Sequence, residues 1–309
     1  MDADGDVDDP ATDARQMLSL AYAHLVGTTF LYWDHLITLQ MEIDLLWRRR
    51  SSLSAYCFFA NRYFAFLAGI LSASLPFLRV SATTCWRLCL LREVSLVITQ
   101  VLVTVIMIIR IYALFGRSRV VLYSMVVLVV AATAVIVYCF HSQHGYELKI
   151  GGGCDWEPSR HTAYRLAGPW EALFAFDTVI FGMTLYSAYT TRRANGPSTS
   201  LHTLVVRDGA MYFGIVALAN LANIGTYYVQ DGSVAPGALT TLASCISVTM
   251  ISRLILNLHR HATHLGIISD SAGGRSEDGT DARRGDASTE PSMVFTEPDL
   301  SWQDPSDHF

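Results

Sequence analysis

Seven long apolar stretches, separated by short polar segments, run from about Met17 to Asn257. A stretch of about 20 apolar residues crosses a bilayer as a helix, because lipid offers no partner to an open backbone N–H or C=O. The pattern predicts an all-α fold, a seven-transmembrane helix bundle with disordered tails. The expected spans are Met17–Leu39, Leu53–Leu75, Leu88–Ile111, Val120–Phe140, Leu166–Tyr189, Leu204–Val229 and Pro236–Leu256. Half the residues are hydrophobic and 16% are charged, against about 25% in soluble domains. The net charge of -5 comes from acidic ends, so it identifies no partner. No basic patch interleaved with aromatics supports nucleic acid binding.

Arginine sets the expected orientation. Arg48, Arg49 and Arg50 follow the first span, Arg117 and Arg119 follow the third, which has Arg110 at its end, and Arg192, Arg193 and Arg207 flank the loop after the fifth. Arg253 and Arg260 close the seventh. Short basic loops stay cytoplasmic, so the N-terminus is expected outside and the C-terminus inside, in a plasma membrane or endomembrane. Without a basic segment ahead of it, the first span reads as its own insertion signal rather than a cleaved one. Residues 1–16 form an acidic leader, 17–260 the membrane domain and 261–309 an acidic Ser/Thr-rich tail; both ends have the composition of disordered chain.

Of six cysteines, Cys57, Cys139 and Cys245 fall within spans. Cys85 and Cys89 lie at the outer start of the third span, and Cys154 lies in the outer loop beside three glycines. In an oxidising compartment the expected bridge is Cys85–Cys154, with Cys89–Cys154 or unbridged thiols as alternatives, since sequence does not fix pairing.

Polar residues inside a bilayer are costly and carry either function or structure. Two layers are expected. Arg62, Gln100, Asp177, Asn220 and Asn223 lie at intramembrane depth, where they suit a ligand or ion site, or a structural clamp built on an Arg62–Asp177 pair. Asp34, His35, Glu42, Arg110, Tyr112, Arg207, Asp208 and Arg253 lie toward the cytoplasmic side. Opposite charges there suit either a lock that re-pairs between states or plain interfacial anchoring.

The strings Tyr32–Leu39 (YWDHLITL) and Glu42–Arg50 (EIDLLWRRR) resemble the signature of a basidiomycete fungal family of multi-pass membrane proteins, known only as a domain of unknown function. Asn61–Tyr63, Arg110–Arg119, Arg207–Phe213, Ser252–Leu258 and the Trp170–Asp177 segment fit the same likeness. His35 and His259 depart from it. The resemblance implies a seven-helix fungal membrane protein and supplies neither a reaction nor a ligand.

Several chemistries are excluded. The one lysine, Lys149, lies in a loop, whereas a retinal Schiff base needs a lysine within the bundle. Only His24 and His35 fall within spans, too few for an intramembrane zinc site. Neither a Gly-x-Ser-x-Gly elbow nor a phosphate-binding P-loop occurs. No catalytic residue, metal or cofactor is expected. The leading expectation is a receptor-like sensor, with the bilayer, a small-molecule or lipid ligand and a cytoplasmic signalling protein as partners. Arg110-Ile111-Tyr112 resembles the arginine motif of G-protein-coupled receptors, although Ile109 stands where that motif has an acid. The alternatives are an ion- or proton-coupled transporter or channel using Asp177, Arg62 and Asp34–His35, and a non-catalytic structural protein.

Overall fold

The computed structural model describes residues 10–47, 53–141, 146–147, 154, 157–158, 160–195, 201–229 and 235–264. Among these, seven helices follow one another: α1 (Pro10–Leu45), α2 (Leu53–Ser74), α3 (Ala82–Leu114), α4 (Arg119–His141), α5 (Arg160–Asn195), α6 (Leu201–Tyr228) and α7 (Thr240–His264). A 3-10 turn, Leu75–Phe77, extends α2, and a two-residue antiparallel pair joins β1 (Tyr146–Glu147) to β2 (Glu157–Pro158). Six helices are long and apolar enough to cross a membrane. The other, α1, is 36 residues long but carries Asp34, Glu42 and Asp44 within its C-terminal half.

Most helices overrun their apolar cores by a turn or more. α1 begins at Pro10, inside the acidic leader, where proline suits a first helical turn because its missing N–H has no partner there anyway. α7 instead starts late: residues 236–239 form a turn, with Gly237 at φ +74°. The α3–α4 connection is equally tight, with Gly116 and Arg117 both at φ 62°.

Neighbouring helices pack in chain order and the ring closes where α7 meets α1. α7 also touches α2, α3 and α6, and is the most buried helix, whereas α4 is the least. Leu31, Phe58, Met107, Ile111, Ile180, Val248 and Ile251 form the centre of the core. Gly27 allows α1 to lie against α7, since a Cβ there would sit 2.9 Å from the Leu242 Cα. Several interior hydroxyls are satisfied by their own helices. Thr28, Thr99, Thr184 and Ser247 each donate to the carbonyl four residues earlier, at 2.8–2.9 Å.

Candidate functional site

The charged residues of α1 fall on one stripe. Asp34, Thr38 and Glu42 are spaced four apart, which places them on one helix face, and all three are buried. Arg62 of α2 fills the space along this stripe. Its Nε lies 2.9 Å from Glu42 Oε2 and its NH1 3.7 Å from Asp34 Oδ2. Its NH2 donates to Thr38 Oγ1 at 2.7 Å and to the His35 carbonyl at 3.1 Å. The Phe58 ring lies 5.4 Å from the guanidinium carbon.

α7 completes the set. Arg253 Nε donates to Asp34 Oδ1 at 2.5 Å. Glu42 Oε1 also accepts from Tyr63 Oη at 2.8 Å and Trp47 Nε1 at 3.0 Å. His35 contacts backbone on two helices, Leu31 O at 2.8 Å and Arg62 O at 3.3 Å. The cluster thus holds two carboxylates and two guanidiniums. Balance matters, because an ion taken out of water costs several kcal/mol unless opposite charge and hydrogen bonds offset it. Exposure is uneven. The side chains of Arg62, Asp34 and Glu42 are at most 2% exposed, whereas that of Arg253 is 39% exposed. Of the four charged groups, Arg253 is therefore the one with open surface.

This arrangement corrects the expected grouping. Arg62 does not pair with Asp177; it joins Asp34 and Glu42, because the α1–α2 packing presents two acids to it along one helix face. Asp177 of α5 instead accepts from Asn220 Nδ2 of α6 at 2.5 Å, both residues at most 1% exposed. Asn223 accepts from Thr240 Oγ1 of α7 at 3.2 Å. Gln100 is half-buried on α3 and makes no bond to either group among the described residues. Among the described residues, Arg110 and Tyr112, near the end of α3, form no ion pair or hydrogen bond with the four-charge cluster. The side chains of Arg207 and Asp208 lie outside the described residues.

Sequence reasoning missed Thr38 and Tyr63, which bond the charged groups directly. Thr38 was findable as the midpoint of the Asp34–Glu42 stripe. Tyr63 was not, since its reach to Glu42 depends on how α2 is rotated. A further tie, Asn257 Nδ2 to Tyr212 Oη at 2.6 Å, joins α7 to α6 on the same side of the bundle.

At the opposite end, Cys85 of α3 is disulfide-bonded to Cys154. The Cys154 N–H also donates to the Leu75 carbonyl at 3.2 Å, so Cys154 is held by α3 and by the 3-10 turn that extends α2 together.

The family of unknown function DUF6533 matches residues 22–67. That segment runs from α1 into α2 and contains Asp34, His35, Thr38, Glu42, Trp47, Arg62 and Tyr63, which is the whole cluster except Arg253. A search of curated proteins found no match, and neither did a search of solved structures. The chain is a membrane-type helical protein carrying a domain of unknown function.

Proposed function

We propose that the chain crosses the membrane seven times, with its N-terminus outside and C-terminus cytoplasmic, and works as a receptor-like sensor rather than an enzyme. The carrying observation is the Arg253–Asp34 contact. It joins α7 to α1 through the one partly exposed guanidinium of the cluster. A sealed α1–α2 ionic base with one accessible latch is suited to two states, because α7 can leave while Arg62 keeps both acids partly neutralised. The disulfide at the other end supports a covalently tethered mouth, where a small-molecule or lipid ligand would act. In this orientation Arg253 faces the side where a signalling protein would bind.

Proximity labelling from the C-terminal end of α7, in cells, tests this reading for the wild type and Arg253→Gln. A sensor changes its labelled cytoplasmic partners when the latch is cut. Identical partner sets, or an N-terminal tag that is inaccessible in intact cells, would count against it.

A transport reading draws on Asp177, a buried acid bonded to an amide and without an ion-pair partner among the described residues. Under that reading Asp177→Asn abolishes proton-coupled flux in proteoliposomes, and absence of flux in the wild type removes it.

A further inference from the structure

Three sulphurs meet at the disulfide end of α3. Cys89 lies one helical turn beyond Cys85, and its Sγ is 3.8 Å from the Sγ of Cys154. Cys85, Cys89 and Cys154 are each at most 3% exposed, packed with Leu75 and bordered by Leu78, Val80 and Leu88. All three sulphurs lie within 4.8 Å of one another. A thiol in contact with a disulfide sulphur has the proximity that thiol–disulfide exchange requires.

We propose that the Cys154 loop has two covalent docking positions on α3, interconverted by attack of Cys89 on Cys154. Cys89 gives up its thiol proton and its thiolate forms a bond to Cys154 Sγ. The Cys85–Cys154 bond breaks, and Cys85 leaves as thiolate and takes up a proton. One S–S bond replaces another, so no oxidant or reductant is consumed. In-line displacement would place the Cys85 and Cys89 sulphurs farther apart than the 4.8 Å that now encloses all three. The cysteine side chains must therefore reorient before the bond moves. The new position lies four residues along α3, about 6 Å farther into the bundle at 1.5 Å per residue. A loop tethered there sits one turn deeper. It would also lose the Cys154 N–H bond to Leu75, whose position on α2 does not follow. The inference does not depend on a receptor role or on which side of the membrane this end occupies.

Trypsin resolves the two isomers, because Arg87 separates Cys85 from Cys89 while Lys149 and Arg160 bracket Cys154. The full chain in nanodiscs is incubated at mildly alkaline pH without added redox reagent, quenched in acid with excess N-ethylmaleimide, digested and read by mass spectrometry. The expected result is two crosslinks, Leu88–Arg92 and Val80–Arg87 each joined to the Cys154 peptide. The second measurement is Cys85→Ser, in which Cys154 is expected to remain bridged, now to Cys89. Wild type showing only the Cys85 crosslink overturns the proposal whatever the variant does. If Cys85→Ser fails to accumulate, the wild-type digest alone decides. Cys89→Ser must show the Cys85 crosslink alone, and a further crosslink of Cys154 there would mark scrambling during digestion and void the second wild-type species as support.

Discussion

Two buried polar regions face the same cost and meet it differently. Between α1, α2 and α7, four charges neutralise one another and recruit Thr38, Tyr63 and Trp47. Between α5 and α6, one carboxyl group rests on one amide. The first is a network in which each charge has a countercharge, so removing one leaves an uncompensated ion. The second has no countercharge to lose. A charge-balanced cluster therefore fixes which helices stand together, whereas a lone acid–amide bond contributes little to holding α5 against α6.

The largest expected effect tests that contrast directly. Arg62→Met leaves Asp34 and Glu42 with Arg253, bonded to Asp34, as the one remaining countercharge in the cluster and is expected to destabilise by about 3–5 kcal/mol, the usual cost of stripping one partner from a buried ion pair. Thermal unfolding in a single detergent or nanodisc composition reads it. The double variant Arg62→Met with Glu42→Gln restores balance through Asp34–Arg253 and keeps an acceptor for Tyr63 and Trp47. It should recover about 1–3 kcal/mol relative to the single change. No recovery would mean that Arg62 matters by its volume and not its charge.

Gly27→Ala comes next, at about 1–3 kcal/mol, because the added methyl meets the Leu242 backbone, which moves only with α7. If it opens the α1–α7 seam, a thiol reagent should reach a cysteine placed at Thr249 faster than in the parent. Arg253→Gln is smaller, about 1 kcal/mol, since a partly open guanidinium is already screened by water. The same cut made at the sealed position should cost several times more. Equal costs at Arg62 and Arg253 would erase the distinction between base and latch. Asp177→Asn is expected to cost less than about 1 kcal/mol, because an amide can still bond Asn220 and interhelical bonds in bilayers average about 0.6 kcal/mol. A loss as large as that of Arg62→Met would break the comparison outright.

The six apolar helices were legible because span length and apolar content are local properties, readable one segment at a time. α1 was legible as a helix for the same reason, although its acids reduce its likeness to a plain span. The depth of Arg62 and of Asp177 could also be counted along their helices, yet depth suggested a pairing that the bundle does not make. Two residues at similar depth meet only if their helices are neighbours and rotated toward each other. α2 faces α1, α3 and α7, while Asp177 lies on α5 and bonds across to α6.

By itself the sequence determined the helical class, the membrane-type composition, the three candidate bridge cysteines and the presence of unusually buried charge. Each follows from chemistry carried within one segment: an apolar run must leave water, and a charged residue in that run must find a partner. Which partner it found was decided only by the tertiary structure. Helix neighbours and helix rotation arise from the closing of the whole ring, where Gly27 lets α7 approach α1 and so brings Arg253, 219 residues distant in the chain, within a hydrogen bond of Asp34.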